Sequence, residues 1–408
     1  MDPAARLEEA PFINLADPML SIRSAPIKQA RDESWFARTP YGIAVLRYNE
    51  VRKLLLHKGL RQGSHTWPGH NNVEGIFADW WVRTILVKEG EDHSRLRKLV
   101  NPAFSPRVIE AMKPDFEAIA TELADSFTSK GECDFMAEFA NPYASRVLCY
   151  VLGLPQEEAA HVLELSAVMG HALGVDFKKY EDAINQATVE MYQYADKIVA
   201  ERRANPQTGD DFMSNLVAAS EDNDALSDEE LRDMVLMLVF AGIDTTRNQL
   251  GLGISMFLDN PEQWELLADN PDLAPRAVDE VMRVRPTITW VTREACEDIE
   301  YEGVVIPKGT TIHLISEAAG TDPTIFDPID FDITVEGRAR SFGFGGGIHH
   351  CLGHAIAKSD MAVALRILPR RMRNIRANGQ GTWLPDSGNT GPISLPIRFD
   401  PEGAQAAA

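Results

Sequence analysis

Cys351 lies in a run of residues whose types could hold a metal-containing cofactor. The run Phe344–Gly353 reads FGGGIHHCLG, and a helical pattern that follows it is expected to stop at Pro369. A thiol at a helix N-terminus meets partial positive charge and free backbone N–H groups, which favour the thiolate that a metal requires. The glycines let the backbone approach a flat ligand closely, and Phe344 could shield the sulfur from water. A bare Gly-x-Cys would be better interpreted as a glycine-rich turn around a buried cysteine, and only the longer run argues against that interpretation.

Every specified position of this run matches Phe-Gly-x-Gly-x-His/Arg-x-Cys-x-Gly, the haem-binding signature of the cytochrome P450 family, which the chain resembles. The resemblance implies that Cys351 is the axial ligand of haem b iron and that its electron donation favours O–O cleavage. It also implies that Phe344, Gly345, His349 and Gly353 contact the cofactor.

A second pattern, 241–246 (AGIDTT), lies inside a helical stretch of about 30 residues that a capping box opens at Ser227. The apolar run 234–240 predicts that this part of the helix is buried, whereas an Asp-Thr pair alone would usually lie on a solvated face. A glycine and hydroxyl groups here could widen the helix locally and admit O2 or water. The segment resembles the family's oxygen-activation segment, which implies proton delivery through Asp244 and Thr245.

Glu280 and Arg283 share one face of a predicted helix at i and i+3. Taken alone they would form a surface ion pair, but they precede the cysteine by the family's spacing, which favours a structural lock for the cysteine loop. Relatives often add a third arginine, which would fall near Val335 here. Arg338 and Arg340 are the candidates to replace it.

Basic side chains form a further group that could bind carboxylates. His93 and Arg97 stand at i and i+4, so both could face one carboxylate, although surface charge is the default interpretation. The resemblance implies that they contact haem propionates together with Arg293 and His349.

Apolar residues near these motifs are the candidates for a substrate pocket, with core packing as the alternative for each aromatic side chain. The candidates are Trp80, Trp81, Ile85, Leu238, Ala241, Ile288, Trp290, Val291 and Ile393, with Trp67, Phe77 and Thr287 nearby.

The elements that must position these residues are mainly helices with a minor β-sheet region. Apolar spacing predicts helices through 106–267, a strand at Gly42–Leu46, a helix at Asn49–Leu56 and a small hairpin within 301–314 around a Pro-Lys-Gly turn. No linker or repeat divides residues 1–408, so we predict one domain with short flexible ends. The resemblance implies the cytochrome P450 fold, with haem between the acid–alcohol helix and the cysteine helix.

Composition excludes several classes of partner. The 40 basic and 61 acidic residues give a formal charge of -21, which would repel nucleic acid and anionic lipid surfaces. The first twenty residues contain no long apolar run, so we expect neither a signal peptide nor a membrane anchor, and a cytoplasmic location. Four scattered cysteines predict reduced thiols rather than a disulfide framework.

These observations predict a haem-thiolate monooxygenase that uses O2 to oxidise a small apolar organic molecule in secondary metabolism or catabolism. Because the sequence contains no dinucleotide motif and no cysteine cluster, its two electrons are expected from separate proteins. The resemblance implies that these are a ferredoxin and an NAD(P)H-dependent ferredoxin reductase. The alternatives are a peroxide-driven haem oxygenase and a haem-binding module without turnover. Asp244 and Thr245 disfavour both, since such relatives tend to lose this pair.

Overall fold

A computed structural model describes residues 7–205, 211–221, 226–327 and 330–402, and the expectation of a flexible end at 405–408 lies outside them. The helices are α1 Ala25–Glu33, α2 Tyr48–Leu55, α3 Trp67–Asn71, α4 Ile76–Trp81, α5 Gly90–Val100, α6 Pro106–Phe127, α7 Asn141–Leu152, α8 Ala159–Gly170, α9 Glu181–Ala204, α10 Phe212–Glu221, α11 Asp228–Asp259, α12 Pro261–Asp269, α13 Ala274–Val284, α14 Ser316–Gly320 and α15 His354–Arg371. The strands are β1 Phe36–Thr39, β2 Gly42–Val45, β3 Leu60–Gln62, β4 Glu132–Asp134, β5 Trp290–Ala295, β6 Ile299–Tyr301, β7 Val304–Ile306, β8 Thr311–Ile315, β9 Met372–Ala377, β10 Thr382–Trp383, β11 Pro392–Ser394 and β12 Pro396–Pro401.

The long helix α11 has 32 residues, and its predicted capping box is present. The Ser227 hydroxyl accepts the Glu230 backbone N–H at 3.1 Å, and the Glu230 carboxylate accepts the Ser227 N–H at 3.0 Å. At ~1.5 Å per residue the helix is about 48 Å long. It packs against α7, α8 and α13, so the large helical core forms around it.

The main sheet has strand order β1-β2-β8-β5-β3, in which β2 and β8 run parallel and the other pairs antiparallel. Two smaller apolar clusters lie against this sheet. A second sheet, β4-β12-β9, packs its apolar residues into the helical core. The fold is therefore mainly α with a minor β region, as predicted.

The predicted hairpin around the Pro-Lys-Gly turn was wrong. Strand β7 pairs with β6, and the two are joined by Glu302 and Gly303, whose φ angles of 49° and 73° suit a tight two-residue turn. The later turn carries the chain from this ribbon into the main sheet, where β8 pairs with β2 and β5. A turn signal alone does not specify which strands pair.

Two expectations about helix interruptions were also wrong. Helix α15 continues past Pro369 to Arg371, because a proline in the last turn removes a single backbone hydrogen bond. Helix α11 stays α-helical through Gly242 instead of widening there. A Cβ at Gly242 would meet the Leu148 side chain at 2.6 Å, so this glycine permits close packing of α7.

No helix within the described residues is both long enough and apolar enough to span a membrane.

Candidate active site

The cysteine loop is fixed by its own backbone and by one arginine. The Cys351 N–H donates to the Phe344 carbonyl at 3.0 Å, and Arg340 donates to the Gly345 carbonyl at 3.1 Å. Gly345 and Gly347 have φ angles of 62° and 70°, in the left-handed region that other residues rarely adopt. These glycines allow the loop to turn back on itself before the helix begins.

Helix α15 begins at His354, so Cys351 lies just before its first turn. Burial raises the pKa of the Cys351 thiol, while the backbone N–H groups of Gly353 and His354 and the charge of Arg97 oppose that rise. The helix N-terminus therefore lowers the pKa of the thiol, as predicted, but burial raises that pKa by more. A bound metal cation deprotonates a coordinating thiol outright, so these donors suit a thiolate ligand.

A group of basic side chains lines the same cavity as Cys351. His93 and Arg97 lie on α5, Arg293 lies on β5, and the rings of His93 and His349 are 4.3 Å apart. The Glu89 carboxylate lies 3.1 Å from His349 Nε2. Burial, followed by His349 and Arg97, lowers the pKa of His93 to about 4, and burial lowers the pKa of Arg293 to about 10.

Among the described residues, Arg97 and Arg293 donate hydrogen bonds only to backbone carbonyls. Arg97 donates to the His350 carbonyl at 3.0 Å, and Arg293 donates to the Thr292 and Gly346 carbonyls at 3.0 and 3.3 Å. Buried cations are costly unless anionic groups pair with them, so the group suits a ligand with carboxylates.

The cavity wall beside the thiol also suits a flat ligand. A Cβ at Gly353 would meet no described atom within 4 Å, whereas a Cβ at Gly346 would meet the Leu55 side chain at 2.5 Å. The residues around Cys351 thus fit a haem, with the two arginines and two histidines placed to bind its propionates.

Asp244 is buried within a network of donors on three elements. It is 3% exposed, and Arg247 one turn along α11 donates to its Oδ1 through Nε at 2.9 Å and through a second, shorter bond. Asn248 donates to Oδ2 at 3.3 Å, and Asn389 in the turn before β11 makes a short hydrogen bond to the same oxygen. The Thr287 hydroxyl donates to the Asn389 side-chain oxygen at 2.8 Å, which fixes that amide.

Thr245 and Ala241 stand at i and i+4 on α11, and both line the cavity with Asp244 and Cys351. The Thr245 hydroxyl donates to the Ala241 carbonyl at 2.8 Å. Its oxygen lone pairs remain available to accept a hydrogen bond from the cavity.

Glu280 and Arg283 form a buried ion pair on α13, with exposures of 3% and 2%. Arg283 donates to the two carboxylate oxygens at 2.8 and 2.6 Å and to the Gly320 carbonyl at 2.8 Å. The Asp332 backbone N–H donates to Glu280 at 3.1 Å. The pair therefore ties α13 to the end of α14 and to the loop at Asp332.

Arg338, rather than Arg340, joins this pair. Its Nε lies 3.4 Å from Glu280 Oε2, and it shares the Asp330 carbonyl with Arg283. Arg340 instead binds the cysteine loop. Arg338 thus contacts the glutamate of the pair, and Arg340 holds the cysteine loop.

The cavity has a volume of about 510 Å³ and mostly apolar walls. Trp80 and Ile393, both proposed for the pocket, do not line it. Trp80 is fully buried behind the wall and donates to the Asp233 carbonyl at 3.3 Å, and Ile393 points outward with 51% exposure. Phe77 is also in the core. The remaining candidates line the cavity, namely Trp67, Trp81, Ile85, Leu238, Ala241, Thr287, Ile288, Trp290 and Val291.

Arg247, Asn389 and Glu89 belong to the site but were not identified from the sequence. The i, i+3 spacing of Asp244 and Arg247 was available as a signal, since it matches the spacing of the pair on α13. Asn389 lies in a turn-rich segment without periodicity, where the sequence offered no signal.

Comparisons with known proteins agree with this geometry. The family model described as "Cytochrome P450" matches residues 35–270 and 263–391. The chain is 37% identical to a luteothin monooxygenase of Streptomyces thioluteus over 397 residues, which cover 96% of each chain. It is 33% identical to the polyketide biosynthesis cytochrome P450 PksS of Bacillus subtilis over 292 residues, 71% of each chain. The structure of CalO2 superposes with a TM-score of 0.86 at 28% identity, covering 95% of this chain and 99% of that chain.

These similarities span nearly the whole chain and are not limited to the cysteine loop, so they confirm the fold predicted from the motifs. The chain belongs to the cytochrome P450 family and is a haem-containing monooxygenase.

Proposed function

We propose that the chain is a haem b monooxygenase that uses O2 and electrons from separate redox proteins to oxidise a small apolar organic molecule. One observation carries the proposal. Cys351, the four basic residues, the pair Asp244–Thr245 and an apolar wall all line the same cavity.

In this proposal Cys351 binds the haem iron through its sulfur. The basic group, composed of His93, Arg97, Arg293 and His349, binds the propionates. Arg97 and Arg293 supply positive charge, and His93, which is uncharged at neutral pH, donates a hydrogen bond. Phe344, Gly345 and Gly353 lie against the macrocycle. When bound, the haem supplies the centre at which O2 is activated and from which oxygen is transferred. Glu280 and Arg283, with Arg338, hold the segments that support the cysteine loop.

Proton delivery is assigned to Asp244 and Thr245. The network formed by Arg247 and Asn389 keeps the carboxylate in one orientation at the cavity wall. The Thr245 hydroxyl donates to the Ala241 carbonyl, so its lone pairs can accept a hydrogen bond from a proton donor in the cavity. It passes its own proton on when the O–H turns from that carbonyl to an acceptor in the cavity, and it takes up a proton from the donor in exchange. A relay of this kind delivers protons without opening the cavity to bulk water.

The apolar wall supports an apolar organic substrate, because it would replace the water around such a molecule with hydrocarbon and aromatic surface. The names of the two relatives, a luteothin monooxygenase and a polyketide biosynthesis enzyme, support a role in secondary metabolism.

A ferredoxin and its NAD(P)H-dependent reductase are the proposed electron donors, and the cytoplasm is the proposed location. The four cysteines of the chain are scattered, and the proposed haem ligand uses one of them. A second electron carrier would therefore lie on another protein. We further propose that residues 1–408 form one domain.

The test is to reduce the haem-loaded protein under carbon monoxide. We expect the strongly red-shifted Soret band that thiolate ligation produces, and its loss in Cys351→Ala. Cys149→Ala is the matched control, because that buried cysteine lies on α7 within the core and does not line the cavity. A wild-type protein without the shifted band, or an unchanged band in Cys351→Ala, would contradict the proposal.

A further inference from the structure

Two polar side chains on strand β8 face the cavity and have no assigned role. We infer that Thr311 and His313 form a subsite that recognises a neutral oxygen-bearing group of the substrate, such as a hydroxyl or a carbonyl. The inference rests on the proposed function, because it concerns the substrate of the same cavity. It adds a polar contact to a pocket that is otherwise mostly apolar.

The register of the sheet places both side chains on one face. Thr311 and His313 are separated by one residue on β8, so they point the same way, and both line the cavity. On the neighbouring strand β5 they lie opposite Glu294 and Thr292, respectively.

Strand β5 also shows how this face lies relative to the cysteine loop. Val291 and Arg293 point away from the Thr292 face and towards the loop. Arg293 donates to the Gly346 carbonyl, and a Cβ at Gly345 would meet Val291 at 3.7 Å. The proposed subsite therefore lies on the sheet face turned away from Cys351, where it would bind a part of the substrate remote from the reaction.

Both side chains carry a buried polar atom without a partner. Thr311 is 2% exposed and His313 is 8% exposed, and among the described residues neither Thr311 Oγ1 nor His313 Nδ1 has a hydrogen-bond partner. Leaving buried polar atoms unpaired costs folding free energy, and such atoms in a cavity wall are typical of ligand contacts. Glu294, which shares this face, is by contrast engaged by Arg61 and His65.

Aromatic rings hold His313 in place. The rings of Tyr41 and Trp290 lie 6.1 and 5.6 Å from its imidazole, both edge-to-face, and Tyr41 stacks on His70 at 6.0 Å. His70 and Ala16 are exposed and line the same cavity, so the subsite lies just inside an opening to the surface. A fixed imidazole at this place can select for the distal end of an elongated molecule.

The charge of the subsite argues for a neutral ligand group. Burial, with a smaller contribution from His70, lowers the pKa of His313 to about 4. At neutral pH the imidazole is uncharged and offers one donor and one acceptor nitrogen, and the Thr311 hydroxyl likewise donates and accepts. A hydroxyl or carbonyl oxygen matches these groups. A carboxylate would share this face with the Glu294 carboxylate, and an ammonium would compete with Arg61 and His65 for it.

The experiment uses the haem-loaded protein and 1-alkylimidazoles, whose ring nitrogen binds haem iron and whose tail extends into the cavity. Probes of increasing tail length are compared in pairs that end in a hydroxyl or a methyl group. At the tail length that reaches the subsite, we expect the hydroxyl probe to bind about three- to tenfold more tightly, as expected for one or two neutral hydrogen bonds.

In His313→Phe the affinity ratio should fall to about one, and His313→Asn should retain part of it because an amide also donates and accepts. Thr311→Val should lower the ratio without lowering the melting temperature, since its hydroxyl has no partner to lose. A purely structural threonine would not behave in this way. His161→Phe is the matched control, because His161 is exposed on α8 outside the cavity and the ratio should not change.

A normal spectral shift with the same ratio in wild type, His313→Phe and Thr311→Val would overturn the subsite alone, as would equal affinities at every tail length in wild type. A protein that shows no haem shift with any probe would instead contradict the proposed function and remove the subsite with it.

Discussion

Two helices of this chain each contain an ion pair between a carboxylate and an arginine one turn apart, but the surroundings of the two pairs differ. On α13 Glu280 and Arg283 are enclosed by the Gly320 carbonyl, the Asp332 N–H and the Arg338 side chain, and neither lines the cavity. On α11 Asp244 and Arg247 are bound chiefly by the side chain of Asn389, and Asp244 lines the cavity. A pair enclosed away from the cavity can only hold segments together. A pair at a cavity wall can also exchange a proton with what the cavity contains.

The largest effect should come from breaking the enclosed pair. Glu280→Gln leaves the Arg283 guanidinium buried without its carboxylate, which should lower the free energy of unfolding by roughly 3–5 kcal/mol. Urea denaturation followed by haem absorbance measures the loss. Asp279→Asn on the same helix is the control, since Asp279 and Lys358 form an exposed pair that contributes at most about 1 kcal/mol. Equal losses in the two variants would contradict the structural role of Glu280.

Asp244→Asn tests the role of the ion pair on α11. We expect product formation to fall about 100-fold, because an amide cannot relay the proton, while the carbon monoxide band stays intact. The assay follows product and peroxide per NAD(P)H consumed, with a compound chosen because it shifts the haem spectrum. Asp259→Asn is the control on the same helix, since that carboxylate is exposed at the helix end. Loss of the band together with activity would indicate a structural lock, as on α13.

Asn389→Ala should have a smaller effect of the same kind. Removing the amide leaves Oδ2 of Asp244 with only the longer hydrogen bond from Asn248 while Arg247 still holds Oδ1, so we expect about a tenfold loss of product formation, or about 1.4 kcal/mol. Because Asn389 acts by positioning Asp244, more peroxide should be released per NAD(P)H and haem binding should not change. Asn378→Ala, which removes an exposed amide bound to Glu132, should leave the yield of product per NAD(P)H unaltered. Unchanged coupling in Asn389→Ala would show that Arg247 and Asn248 suffice to position Asp244.

The enclosed pair and the cysteine loop could be predicted from the sequence because their chemistry is local. Glu280 and Arg283 meet through helix geometry alone, and the glycines near Cys351 stand at fixed spacing. Arg338 and Asn389 reach their partners through tertiary structure, from 58 and 145 residues away along the chain (338 − 280 and 389 − 244). The sequence contains the residues but not the loop paths that bring them together.

The tryptophans of α4 likewise show that the sequence does not specify which side chain faces the cavity. Helix α4 reads IFADWW, which is apolar on most sides, so its periodicity does not tell which tryptophan meets the cavity. Trp81 lines the cavity and Trp80 faces the core, where it packs edge-to-face on Phe240 at 5.5 Å. The strand pairings were misjudged for a related reason, since a Pro-Lys-Gly turn can join two sheets as well as two strands of one hairpin.

A third buried carboxylate, Glu317, sharpens the comparison because its pairing is incomplete. Arg23 Nε lies 2.8 Å from its Oε1, but among the described residues no hydrogen bond reaches its Oε2. Burial raises the pKa of Glu317 to about 7, and Asp386 adds to the rise while Arg23 and Arg285 oppose it. Glu280 thus differs from Glu317 in that both of its carboxylate oxygens accept hydrogen bonds.

A pH-dependent effect follows from that raised pKa. Between pH 4.5, the ordinary value, and about pH 7 the unfolded chain loses this proton before the folded chain does, so the stability it contributes is lost as pH rises. Glu317→Gln abolishes that loss. Its melting temperature should match wild type near pH 4.5 and exceed it increasingly towards pH 7, the opposite sign to Glu280→Gln. Parallel melting curves across this range would mean that Arg23 compensates the charge fully, and that one paired oxygen is sufficient to hold a buried carboxylate ionised.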